Sequence, residues 1–326
     1  MILVTGGAGF IGSNLVAALD DAGRQVAVCD RFGCDDKWKN LQTRELAELV
    51  DPAQLDDLLL RSGETLDAVV HMGAISATTE TDVDLIVETN VRLSQRLWHW
   101  CAEKNVPLIY ASSAATYGDG AEGFSDDDAP EALARLRPLN AYGWSKHLFD
   151  RWVVRQAALG KPTPPSWAGL KFFNVYGPNE HHKGEMRSVV TKAWPTAAAG
   201  QAVTLFRSHH EGYADGGQMR DFVYVEDCVD VMLWLLEHTE VSGIFNLGTG
   251  RAQSWLELMT ALYDAVGQEL RVEWVDTPAE IRDRYQYFTQ ADMTKLRAAG
   301  YDRAFRSVEE GVADYVERFL SRGGYR

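Results

Sequence analysis

Short apolar runs alternate with longer stretches of helical spacing through the first half of the chain. Ile2-Leu3-Val4, residues 25–29, 67–71, 107–111 and 170–173 each have the length and predominantly apolar character of a strand. Between them, residues 13–19 and 82–103 carry helical character. Strand and helix in this alternation predict an α/β fold, a doubly wound parallel sheet. Ligands bind such sheets outside the carboxyl ends of the strands. The chain places its glycine-rich turn at residues 6–12, then Asp30, Gly73, Ser113 and Asn174, at five such ends.

The first of these ends is the most specific. Thr5-Gly6-Gly7-Ala8-Gly9-Phe10-Ile11-Gly12 follows the first strand and leads into a helical stretch, and Gly7, Gly9 and Gly12 satisfy G-x-G-x-x-G. Glycine allows the tight turn, the close approach of a pyrophosphate and close helix–strand packing. The helix N-terminus then supplies N–H groups for the anion. The sheet is therefore expected to be Rossmann-like and to bind a dinucleotide. The second strand ends at Asp30, where such folds place the carboxylate that takes the adenosine ribose. Asp30 speaks for NAD, whereas Arg31, Lys37 and Lys39 suit the 2′-phosphate of NADP.

Tyr142-Gly-Trp-Ser-Lys146 adds candidate chemistry. Positions i and i+4 share a helix face. An ammonium there favours the phenolate, which predicts a lowered tyrosine pKa and a group able to exchange a proton with a substrate hydroxyl.

The 326 residues are 46% hydrophobic and 24% charged, as in a globular protein with one large or two modest domains. The net charge of −15 argues against nucleic acid as a partner. No run approaches the roughly 18 apolar residues of a membrane span, and no signal peptide is visible. Cys29, Cys34, Cys101 and Cys228 show no C-x-x-C spacing, which fits free thiols in a reducing, cytoplasmic setting. The pairs His181-His182 and His209-His210 lack a partner cluster with ligand spacing, so no metal is expected. Trp98, Trp100 and Trp234 read as core or subunit-interface anchors, and residues 161–165, with three prolines, as a loop.

Several long segments resemble the extended short-chain dehydrogenase/reductases: TGGAGFIGS, SSAATYG from Ser112, YGWSK, NVYGP from Asn174, RDFVYVED from Arg220 and GIFNLGTG from Gly243. Within that superfamily the stretches 110–118, 171–186, 220–231, 242–254 and 284–302 are most similar to the ADP-L-glycero-D-manno-heptose 6-epimerases. The resemblance implies oxidation of the heptose at C6 and return of hydrogen to the opposite face, with tightly bound NADP, or NAD in its place. It implies Tyr142 as acid/base, Lys146 on the nicotinamide ribose and Ser113 on the reacting oxygen. Lys183 is implied as the second acid/base. Further cofactor contacts implied are Gly6, Gly9, Phe10, Ile11, Gly12, Asp30, Arg31, Lys37, Met72, Gly73, Ala74, Asn90 and Val175. Ser76, Asn174, Phe206, Arg220 and Tyr285 are implied for the nucleotide sugar, with Arg220 suited to a diphosphate. A cytoplasmic homo-oligomer, a pentamer, making lipopolysaccharide core precursor is likewise implied.

Two departures stand out. Residues 207–218 form a longer loop than the family pattern, and Pro52 replaces a basic residue expected near the cofactor. Residues 1–172 with about 222–250 are expected to form the cofactor domain, and about 173–221 with 251–326 a smaller, mostly helical substrate domain. A C4 epimerase of hexose nucleotides is the alternative. A 4,6-dehydratase would need an Asp-Glu pair where Ala114 and Ala115 stand, and a non-catalytic nucleotide sensor would not keep Ser113, Tyr142 and Lys146 together.

Overall fold

The computed structural model describes residues 1–63, 65–282 and 286–326. Seven parallel strands form the central sheet: β1 (Ile2–Thr5), β2 (Val26–Cys29), β3 (Glu48–Val50), β4 (Ala68–His71), β5 (Leu108–Ser113), β6 (Trp167–Phe172) and β10 (Gly243–Leu247). Their order is β3-β2-β1-β4-β5-β6-β10. The order reverses between β1 and β4, so the chain leaves these neighbouring strands in opposite directions and opens a crevice at their carboxyl ends.

The period-2 alternation of side chains explains why both faces are filled. Ile2 and Val4 join one core with Leu15, Val28 and Val70, while Leu3 joins another with Ala27, Val69, Leu97 and Trp98. Trp98 is fully enclosed and meets Trp152 and Trp167 edge-on, which makes it a core anchor. A third core lies beyond the sheet and is built on smaller pieces. Strands β7 (Asn174–Tyr176), β9 (Met219–Tyr224) and β11 (Ala252–Ser254) form one small sheet, and β8 (Val203–Phe206) pairs with β12 (Val272–Val275). Helices Val189–Ala198, Trp255–Ala265 and Val308–Arg318 pack there through Val190, Leu258 and Val312.

The helical stretch expected at residues 82–103 is interrupted. Helix Val83–Ile86 runs through a π-helical turn, Val87–Arg92, into helix Leu93–Lys104. One π turn re-aims the side chains that follow it. Here Asn90 lies within that turn, buried against Ile75 and Ser145.

Candidate active site

A cleft of about 810 Å³ opens between the central sheet and the third core. One wall is the glycine turn, with Gly6, Gly9, Phe10, Ile11 and Gly12. Gly6 has φ +66°, and a Cβ there would lie 2.5 Å from the Gly73 nitrogen. A Cβ on Gly12 would lie 2.2 Å from the Gly6 carbonyl oxygen. Only glycine lets the turn, the helix Phe10–Asp21 and the β4 end approach this closely. No side chain caps that helix at Gly9, so its first-turn N–H groups remain open to an anion. Asp30 ties the turn to β2 by accepting from the Ala8 N–H at 2.9 Å, and it also receives the Lys37 ammonium at 2.7 Å. Cradle, open helix end and terminal carboxylate fit a nicotinamide dinucleotide.

The far wall carries the acid/base candidates. Asn140 caps the helix Ala141–Ala158 through the Gly143 N–H at 2.8 Å. Gly143 lets this helix press on the turn after β5, since a Cβ would lie 2.7 Å from the Ala115 oxygen. That contact brings Tyr142 and Lys146 beside Ser113, all three lining the cleft. The Ser113 hydroxyl oxygen accepts from the Ala115 N–H at 3.1 Å, leaving its own proton for the Tyr142 phenol.

The electrostatics differ from the expectation for Tyr142. Its pKa is raised, not lowered: loss of water is the largest cause, Ser113 opposes it, and the Asp150 carboxylate adds to it. Burial disfavours the phenolate more than any neighbouring charge favours it. The same burial brings the Lys146 ammonium down to about 8, with Asp150 opposing.

Lys183 reaches the cleft from a separate segment, the turn His181–Met186. Its Nζ lies 5.0 Å from the centre of the Phe10 ring, and burial lowers its pKa. Both ends of the segment are tied down. Glu180 accepts from the Ser188 hydroxyl at 2.6 Å. The Asn179 carbonyl accepts from Asn40 at 3.1 Å, and the Asn179 side chain accepts from the Arg326 N–H at 2.8 Å. Gly184, with φ +53°, makes the reversal.

Met72, Gly73, Ala74, Ser76, Lys37, Asn174 and Val175 also line the cleft. Four other anticipated residues stand outside it. Arg31 is exposed and faces Asp51 at 3.6 Å. Asn90 uses its amide on the Ile75 backbone and the Ser145 hydroxyl, which fixes the loop after β4 rather than lining the cleft. Arg220 is largely buried, 5.9 Å from the ring of the cleft-lining Trp255, and Phe206 ends β8. Tyr285 lies outside the described residues. Asp221, which follows Arg220 in its motif, is structural: it accepts from the N–H groups of Thr249, Gly250 and Ala291.

His182, Arg187 and Trp255 line the cleft without having been singled out for it. His182 takes the Asn40 amide at 3.2 Å, and burial brings its pKa down to about 4. Its adjacency to Lys183 was the available signal. His210 packs against the Tyr213 and Tyr287 rings in the long loop. Among the described residues, no group of three His, Cys, Asp or Glu side chains is gathered to hold a metal ion.

The chain is similar in sequence and fold to known proteins. A sequence model of the NAD dependent epimerase/dehydratase family matches residues 2–248. The chain is 50% identical over 324 residues to the ADP-L-glycero-D-manno-heptose-6-epimerase of Nitratidesulfovibrio vulgaris (strain DP4), covering 98% of each chain. Its structure is similar to the Helicobacter pylori ADP-L-glycero-D-manno-heptose-6-epimerase, with TM-score 0.78, 29% identity and coverage of 97% of this chain and 95% of that one. It is also similar to the Thermus thermophilus UDP-glucose 4-epimerase in complex with NAD, with TM-score 0.74, 27% identity and 97% of each chain covered.

Proposed function

The chain belongs to the NAD dependent epimerase/dehydratase family, and from that premise we infer that it is an isomerase, an ADP-L-glycero-D-manno-heptose 6-epimerase. It converts ADP-D-glycero-D-manno-heptose to the L-glycero epimer by transient oxidation and reduction at C6. The observation that carries the substrate is likeness over the whole length, 50% identity across 98% of the chain, rather than over the dinucleotide fold alone.

A nicotinamide dinucleotide bound in the cleft would accept hydrogen from C6 and give it back, leaving no net redox change. The glycine turn and the open helix end at Phe10 would hold its pyrophosphate, Asp30 its adenosine ribose and Lys146 its nicotinamide ribose. Tyr142 exchanges the hydroxyl proton on one side of C6, and Ser113, which faces the Tyr142 phenol, would turn its hydrogen bond to the oxygen that develops charge once substrate is bound. Inversion requires proton handling on the second face as well. Lys183 supplies it from the opposite segment of the cleft, with burial lowering its proton affinity toward that task.

In this reading the dinucleotide is NADP. What supports this is Lys37, which lines the cleft 2.7 Å from Asp30, with the exposed Arg31 next to Asp30 in the chain as a second cation available to a 2′-phosphate. No helix among the described residues is long and apolar enough to cross a membrane. The reading places the enzyme in the cytoplasm as a homo-oligomer that supplies lipopolysaccharide core precursor.

Separate incubations with ADP-heptose and UDP-glucose, resolved by chromatography, test the substrate. The heptose is expected to reach an epimer mixture while UDP-glucose is unchanged. Formation of the hexose 4-epimer, with the heptose unchanged, would move the assignment to C4 epimerisation.

A further inference from the structure

Asp150 is fully buried on the helix Ala141–Ala158, one turn beyond Lys146 and two beyond Tyr142. Steps of four residues keep 142, 146 and 150 on one face of the helix. Tyr110 donates to its Oδ1 at 3.0 Å and Ser112 to its Oδ2 at 2.6 Å, both from β5. The Lys171 ammonium on β6 is 3.8 Å away, itself buried, donating to Thr116 at 2.9 Å and lying over the Tyr117 ring. Two hydroxyl donors and an ammonium aimed at one carboxyl group favour its ionised form, opposing the burial that raises its pKa. A buried charge needs such partners to persist. The carboxyl is the counter-ion of Lys171 on β6, and Ser112 also connects it directly to the cleft lining.

We propose that Asp150 is a positioning residue for the proton chemistry, its fixed negative charge setting the pH window in which Tyr142 and Lys146 work. The inference rests on the epimerase reading of the cleft. A negative neighbour disfavours the phenolate and favours the ammonium, so it raises both proton affinities together. That direction agrees with its effect on each: Asp150 adds to the rise at Tyr142 and opposes the fall at Lys146.

The other groups facing the trio do not duplicate the charge. Ser113 is a neutral donor to Tyr142. His71 on β4, which feels Lys146, is kept neutral by burial, with a pKa of about 3. His147, next along the helix, is brought down to about 4. Asp126 and Asp128 act on Lys171 from the far side and have Lys295 beside them, 2.6 Å from Asp128.

The test is the pH profile of kcat/KM for the cofactor-loaded wild type, Asp150→Asn and Asp150→Glu. Bell-shaped profiles report the pair, not either residue alone. Without the carboxylate both limbs should move to lower pH by roughly half a unit or more, while Asp150→Glu keeps the wild-type profile. An Asp150→Asn bell of any height with unmoved limbs overturns the inference. Because Asp150→Asn strands the Lys171 charge, Asp150→Asn/Lys171→Gln serves where the single variant does not fold; a smaller shift in the same direction is expected, since a positive charge leaves with the negative one, and unmoved limbs again overturn the proposal. Absence of wild-type turnover would instead sink the epimerase reading, and this inference with it.

Discussion

Two amines, Lys146 and Lys183, enter the cleft from different segments, and burial lowers the proton affinity of both. Only the first belongs to a local pattern. Replacing Lys183 with Met keeps the apolar stem over Phe10 and removes the proton carrier. Epimer interconversion should fall by about two to four orders of magnitude, with dinucleotide affinity, read by fluorescence titration, changed little; full turnover would remove Lys183 from the reaction. At the adenosine end Lys37 leans on Asp30. Lys37→Met should weaken NADP at least about tenfold, the scale of one lost charged contact, and leave NAD almost unaffected. Equal loss for both dinucleotides would contradict the NADP assignment. Tyr142 and Lys146 were readable from their spacing, but the direction of the Tyr142 shift was not. It depends on how completely the helix is covered, which spacing does not encode.

Among the elements, the glycine turn and the helix Phe10–Asp21 form one interlocked unit. A Cβ on Gly12 meets the Gly6 carbonyl, and one on Gly6 meets Gly73. Gly12→Ala should cost about 1–3 kcal/mol of stability, as overpacking does, and abolish detectable dinucleotide binding; thermal unfolding with and without the dinucleotide checks both. A variant that kept wild-type stability and binding would contradict the close approach. Strands β1, β2, β4, β5 and β6 were legible because each carries a short, mostly apolar run. The edge strand Glu48–Val50 was not, since its three residues include an exposed Leu49. Nor was the π turn at Val87–Arg92, whose composition is ordinary for a helix and whose geometry serves the Asn90 contacts. The Arg220 motif was visible too, but not its surroundings: its guanidinium lies 5.9 Å from the Trp255 ring and donates to its neighbour's carbonyl, that of Met219, at 2.8 Å.

For the molecule as a whole, the cleft exists because two separately packed cores meet across it. Phe10, Val190, Phe222 and Leu258 belong to the third core and line the cleft. The strand ends that converge on it were legible; the pairing of Asn179 with the distant Asn40 and Arg326 was not, because side chain–backbone ties leave no periodicity. Burial also gives the fold an acid limit. His71, between Thr5 and Ser94, has a pKa of about 3, below the 6.5 of an unfolded histidine. Below pH 6.5 the unfolded chain takes up a proton that the native site refuses, so stability falls with pH, by about 2 kcal/mol at pH 5 from this group. Urea unfolding at pH 7 and 5 should show a loss smaller by that amount in His71→Gln; equal losses would contradict the assignment.

The central claim concerns a single carbon, and proton NMR of the purified protein with ADP-D-glycero-D-manno-heptose, without added dinucleotide, reads it most directly. The account predicts that the heptose signals of the L-glycero epimer grow in until both epimers coexist at a constant ratio, with no keto sugar accumulating. A spectrum that keeps one epimer unchanged, in a sample shown to carry bound dinucleotide, would contradict it.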